Sequence, residues 1–241
     1  MNWKVAAFYR FLPLSDLPAR QAETVAACVR LDICGTILLA LEGINGTIAG
    51  QGDSLDGIVN YLDRVFGIRE GELKFSAAAE KPFKRMKVKL KKEIITLRAP
   101  EANPSTRTGI HVAPREWNDL MNDPEVVVLD TRNDYETETG IFRDAVDPGI
   151  STFTQFKAFA EKNLDPAKHK KIAMYCTGGI RCEKASSYLL AHGFEQIYQL
   201  KGGILKYLEE IPPSESRWQG ACFVFDERAA LGHGLEQKSR K

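Results

Sequence analysis

Apolar and polar positions along the first hundred residues form a succession of short strand-like and helix-like runs. Val5 to Leu12 is an apolar stretch, broken by Arg10 and closed by Pro13, and predicts a strand. Asp16 to Leu31 predicts a helix with an aspartate cap. Thr36–Leu41 and Gly46–Ala49 predict two strands joined by a turn that contains Asn45-Gly46. Leu55, Ile58, Val59, Leu62, Val65 and Phe66 then recur at helical spacing, and two or three short strands are expected between Leu73 and Leu97. This β-α-β-β-α-β order predicts a ferredoxin-like (acylphosphatase-like) α+β sandwich over residues 1–98.

The stretch R-A-P-E-A-N-P-S-T-R at 98–107 has two prolines and no apolar period, which places a linker at 99–106. Beyond it, strands expected at Glu125–Asp130, Lys171–Tyr175 and Gln196–Leu200 alternate with helices over Pro114–Met121, Phe153–Asn163 and Arg181–His192, the last stopped by Gly193. Alternation of this kind builds a mostly parallel α/β sheet covered on both faces, here over 107–212, and leaves 213–241 as a C-terminal extension.

Composition changes the picture in three ways. With 241 residues, 44% of them apolar, the chain can bury a core in each of two domains. Five cysteines without regular spacing argue against a disulfide framework and for a reducing compartment, and Val5–Leu12 is too short and too broken for a signal peptide or membrane span, so a cytoplasmic protein is expected. The histidines at 111, 169, 192 and 233 lack ligand spacing, so no metal site is expected.

Net charge is only +1, yet it is unevenly spread: residues 1–100 carry 15 Lys+Arg against 11 Asp+Glu, the remainder 18 against 21. The excess gathers at Lys81, Lys84, Arg85, Lys87, Lys89, Lys91 and Lys92. In Lys87-Val88-Lys89-Leu90-Lys91, alternation puts lysines on one strand face and apolar side chains on the other. Such a stripe can track phosphates, with Phe83 stacking on a base; the same pattern also suits an edge strand guarded by lysines.

The candidate chemistry lies at Cys176-Thr177-Gly178-Gly179-Ile180-Arg181-Cys182, between an apolar strand and a helix. A thiol in a strand-to-helix turn faces loop amides and the positive end of the helix, which favour the nucleophilic thiolate. Gly178 and Gly179 let the loop turn its amides inward, and Arg181 closes it and can add positive charge or anchor an anion. Cys28, Cys34 and Cys222 read as small buried hydrophobes. Asp130 and Arg132 read as supporting residues, Asp130 ending a strand and Arg132 pairing with carboxylates near the loop.

Asp130-Thr131-Arg132, the C-T-G-G-I-R loop and Leu200-Lys201-Gly202-Gly203-Ile204 together resemble a rhodanese-type domain. The spacing from Cys176 to Arg181 matches its loop rather than the longer loop of the related cell-cycle phosphatases. With E-G-I-N-G-T at 42–47, the loop extended as C-T-G-G-I-R-C-E-K, and W-Q-G-A-C-F-V-F-D-E-R at 218–228, nearly the whole chain resembles the rhodanese-fold tRNA uridine 5-hydroxylases. The resemblance implies oxygen-dependent formation of 5-hydroxyuridine at the wobble position of tRNA. Molecular oxygen is then the co-substrate, Cys176 the catalytic residue, and the anticodon loop of tRNA the partner held by Lys81, Phe83, Lys84, Arg85, Lys87, Lys89 and Lys91. No organic cofactor motif is seen. Some relatives continue into a cysteine-rich tail; the polar run 235–241 holds no cysteine, so no tail-borne metal site is expected. The alternative is a sulfurtransferase that carries a persulfide on Cys176. No oligomeric state is legible.

Overall fold

The computed structural model describes residues 3–69 and 72–238, so residues 239–241 at the end of the expected extension lie outside the described residues. The chain forms two compact units, Met1–Ile95 with Phe225–Arg228, and Thr96–Val224 with Ala229–Lys241. Four residues of the expected C-terminal extension thus belong to the first unit.

In the first unit the elements run β1 (Trp3–Phe11), α1 (Leu17–Arg30), β2 (Cys34–Ala40), β3 (Gly43–Gly50), α2 (Asp53–Phe66), β4 (Lys74–Ala78) and β5 (Met86–Leu90). The sheet order is β4-β1-β3-β2-β5. The first four strands are antiparallel, as the β-α-β-β-α-β order requires, and β5 adds a parallel edge beside β2. Asp16 caps α1 by accepting from the Ala19 N–H at 3.4 Å. Phe8, Ile37, Leu39, Ile44 and Ile48 meet Leu55, Ile58, Leu62 and Phe66 of α2 and Cys28 of α1 in the main core. A smaller cluster of Val5, Cys34, Ala49 and Ala78 is covered by Trp3 and Phe83.

The hairpin turn is displaced from its expected place. Leu41-Glu42 connects β2 to β3, and Asn45-Gly46 lies within β3. Gly46 is a packing residue: it pairs with Phe8 across the sheet, and a Cβ there would come within 2.6 Å of the Phe8 ring. Asn45 Nδ2 donates to Ile94 O at 3.0 Å, which ties down the chain after β5.

The second unit runs β6 (Ile110–Val112), α3 (Pro114–Leu120), β7 (Val126–Asp130), α4 (Asp134–Thr137), β8 (Gly140–Phe142), α5 (Phe156–Asn163), β9 (Lys171–Tyr175), α6 (Ile180–Ala191), β10 (Gln196–Leu200), α7 (Gly203–Glu210), β11 (Trp218–Gly220), β12 (Cys222–Phe223), β13 (Ala230–Leu231) and β14 (Gln237–Lys238). Its central sheet, β6-β10-β9-β7, is parallel throughout. Strand β6 is too short to show a period, and α4 too short to show a helical one, so neither was expected. The first turn of the helix expected from Phe153 is a 3-10 turn, and α5 proper starts at Phe156. The extension is not an appendage, because β11 pairs with β8 while β12, β13 and β14 form a small sheet. Trp117, Phe142, Tyr175, Tyr207 and Trp218 form an aromatic core, with Phe142 edge-on to Tyr175, Tyr207 and Trp218 at 4.7–5.0 Å between ring centroids.

Candidate active site

Cys176 follows β9 directly, at the carboxyl end of the parallel sheet, where open α/β sheets hold their ligands. Gly179 adopts φ 104, open to glycine, and its N–H donates to Cys176 Sγ at 3.1 Å. Burial works against a charged sulfur. The Cys182 thiol, the Arg181 charge and the backbone N–H groups of Arg181 and Cys182 outweigh it, and the Cys176 thiol falls to about 5. The loop therefore holds a thiolate at neutral pH.

Cys182 is buried in the first turn of the helix and is pushed the other way, by burial and by the Cys176 sulfur beside it. It stays protonated and serves as the hydrogen-bond donor. Thr131 lies 3.6 Å from Cys182 Sγ, and its hydroxyl donates to Tyr175 O at 2.9 Å.

Arg181 closes the loop from inside. It is buried, and its two terminal nitrogens meet the two carboxylate oxygens of Glu136 at 2.5 and 2.7 Å. Burial opposes the guanidinium's charge, but Glu136 keeps it cationic, and Cys176 feels that charge. Arg181 is thus turned inward onto a carboxylate, from where it adds positive charge beside the sulfur. Glu136 also accepts from Thr177 Oγ1 at 3.2 Å and from the Asn133 N–H at 3.2 Å. Burial would raise its carboxyl, yet Arg181, Arg132 and the Asn133 amide hold it below the usual carboxylate range.

Sequence reasoning missed Glu136. Its one local sign is the Asn133-to-Glu136 spacing of a capping box at the start of α4.

Asp130 and Arg132 form a fully buried pair, with Nε and Nη2 on the carboxylate at 2.7–3.2 Å. Arg132 also donates to Glu136 O and Gly140 O, and its guanidinium lies 5.1 Å over the Trp218 ring. The pair joins β7, α4 and β8 beneath the loop.

Behind Cys182, Glu183 accepts from Thr108 Oγ1 at 2.7 Å and Gln199 Nε2 at 3.1 Å, and pairs with His111 at 2.9 Å. That network anchors the chain just after the linker to α6. Burial pushes the thiols of Cys28 and Cys222 up to about 12.

The basic residues belong to the first unit. Lys87 and Lys89 are exposed along the edge strand β5, whose Met86 and Val88 pack on the core, and Lys81, Lys84, Arg85 and Lys91 are exposed on the flanking segments. Phe83 is half-buried against Val5, Cys34 and Ala49, so part of its ring packs on the core. Among the described residues, no group of three or more His, Cys, Asp or Glu is placed to hold a metal ion, and no helix is long and apolar enough to cross a membrane.

A thiolate in a glycine loop at the end of a parallel sheet, preceded in sequence by an acylphosphatase-like unit, defines a two-unit rhodanese-type protein. Comparison with known proteins agrees: the UPF0176 acylphosphatase like domain matches residues 3–94 and the rhodanese-like domain residues 113–210. A tRNA uridine(34) hydroxylase of Nitrobacter winogradskyi is 55% identical over 97% of this chain and 93% of its own length. One from Picosynechococcus is 51% identical over 98% of this chain and 79% of its own. A solved rhodanese-like domain from Anabaena aligns at 20% identity and TM-score 0.37, over 46% of this chain and 78% of that one. The chain belongs to the tRNA uridine(34) hydroxylase family.

Proposed function

We propose that this protein hydroxylates uridine 34 of tRNA, the wobble base, at carbon 5, with molecular oxygen as co-substrate and Cys176 as the reacting residue. The observation that carries the reading is near full-length kinship at 55% identity to proteins named for this activity. A cytoplasmic location accords with a tRNA substrate.

The site supports a role for the sulfur itself. Carbon 5 of uridine is poorly reactive, and a thiolate adding at carbon 6 makes it enolate-like and able to take one atom of O2, the other leaving as water with two electrons and two protons from a reductant; loss of the carbon 5 proton then expels the thiolate. Loop amides are suited to stabilise the charge that develops on the base oxygen. The rival is a Cys176 that carries the oxidant as a sulfenic or persulfide species.

Mass spectrometry of tRNA nucleosides from cells with and without the gene tests the activity. Loss of 5-hydroxyuridine on deletion is the expected result, and unchanged levels would remove the reading. A tRNA with 5-fluorouridine at position 34 should trap a protein–RNA band that is absent in Cys176→Ser. Its failure to form while ordinary tRNA turns over would favour the oxidant carrier.

A further inference from the structure

The Gly202-Gly203 pair opens α7 with two left-handed residues, φ 77 and φ 68. The first turn of this helix receives the active loop. Ile204 N–H donates to Cys176 O at 3.0 Å, and Leu205 N–H donates to Thr177 O at 3.1 Å. These are helix N-terminal amides that have no partner within their own helix, at the end where the helix dipole attracts oxygen.

The approach leaves no room for a side chain. A Cβ on Gly203 would lie 2.5 Å from Cys176 O, 2.7 Å from Thr177 O and 2.9 Å from the carbonyl carbon of Gly178. All three atoms are backbone, so nothing can swing aside. A trans peptide is planar, with its N–H opposed to its C=O. Seating the carbonyls of Cys176 and Thr177 on α7 therefore turns the N–H groups of Thr177 and Gly178 away from α7. It also fixes the path along which the loop returns to put Gly179 N–H on the sulfur.

We propose that Gly203 is a positioning residue for the chemistry at Cys176: by letting the first turn of α7 seat two consecutive loop carbonyls, it sets the direction of the loop amides around the sulfur. The proposal rests on the reading of Cys176 as the reacting atom. It gives the L-K-G-G-I segment a task distinct from ending a strand.

The test is a pH titration of thiolate ultraviolet absorbance in the full chain, taken as a difference against Cys176→Ala. Wild type should titrate near 5. Gly203→Ala should move the midpoint up by about one unit or more, which means roughly tenfold less thiolate below it. Gly193→Ala is the control: it has φ +86 and nothing near its Cβ, so it bears the same left-handed strain and should leave the midpoint unmoved.

An unshifted midpoint in folded Gly203→Ala overturns the proposal. If that variant does not fold, Leu205→Pro decides. It deletes the amide that meets Thr177 O from a half-buried place in the first turn, where proline is tolerated. It should raise the midpoint likewise, and a wild-type midpoint there is equally fatal. Hydroxylation of tRNA is measured separately, so an inactive wild type would remove the functional reading while the titration still decides the role of Gly203.

Discussion

Glu136 holds both terminal nitrogens of Arg181, at 2.5 and 2.7 Å, with both side chains buried. One carboxylate thus fixes the arginine that closes the loop, and through Thr177 Oγ1 it fixes the residue beside the nucleophile. Breaking one side of a buried pair strands a charge and costs about 3–5 kcal/mol, whereas replacing both partners with apolar groups can be nearly neutral.

Glu136→Gln should therefore destabilise the second unit by about 3 kcal/mol, read by urea unfolding. The double variant Glu136→Gln/Arg181→Met should recover at least about 1 kcal/mol of the summed losses. It should still lack activity. Additive losses would mean that the two side chains act independently.

The same pair sets an acid limit. Because the folded Glu136 carboxyl lies below its ordinary 4.5, its contribution is present above that pH and is lost as pH falls through the lowered folded value. Wild-type stability should drop below about pH 4.5, and the drop should be shallower in the double variant. Glu183, also held low behind burial by His111, Thr108 and Gln199, adds a similar slope that both proteins share.

Cys176 makes a second pH prediction. Its folded value near 5 lies below the ordinary 9.0, so the folded state releases a proton between them. The stability this gives is full above pH 9.0 and is lost as pH falls through about 5. Hydroxylation should rise with pH through the same lower limit where Cys176 governs the rate. Cys176→Ala should abolish 5-hydroxyuridine while the protein stays folded, and wild-type levels of the nucleoside would refute the assignment.

Cys182 separates by chemistry. Serine keeps a hydrogen-bond donor toward the Cys176 sulfur, alanine does not, and neither forms a disulfide. Cys182→Ala should raise the Cys176 midpoint, and Cys182→Ser should hold it close to wild type. If Cys182→Ser also keeps full activity and peroxide resistance, Cys182 is a donor and does not act by closing a disulfide with an oxidised Cys176.

Lys87, Lys89 and Lys91 stand exposed on and just beyond the edge strand. Reversing all three to glutamate should weaken tRNA binding and lower its salt slope by roughly 2–3. Unchanged affinity at low and moderate salt would move the RNA surface elsewhere. Phe83→Ala should instead cost about 1–2 kcal/mol of stability, because the ring covers Val5, Cys34 and Ala49.

What the sequence revealed and what it hid follow one distinction. The Cys176 loop was legible because strand, glycines, arginine and helix are contiguous, so local rules suffice. Glu136 was not, because its importance comes from a partner 45 residues away and from burial that no local pattern records. Asn45-Gly46 misled for the converse reason: the dipeptide is a strong turn signal, but the Phe8 ring needs a glycine opposite it, and tertiary packing decided the matter. The lysine alternation was legible in β5, while the half-burial of Phe83 was not, because an aromatic beside basic residues looks the same whether it faces solvent or a core.

Arg228 has a consequence in time. Its guanidinium bonds Ser76 Oγ at 2.6 Å and Ala77 O at 3.3 Å, braced by Asp226, while the Glu227 N–H donates to Pro82 O. Ser76 lies 152 residues earlier in the chain. A nascent chain folds from its N-terminal end as it emerges, so the first sheet forms before Arg228 is available to bond it. A fragment cut at the linker would lack these bonds to Ser76 and Ala77 on the edge strand β4, a template onto which a second copy can add.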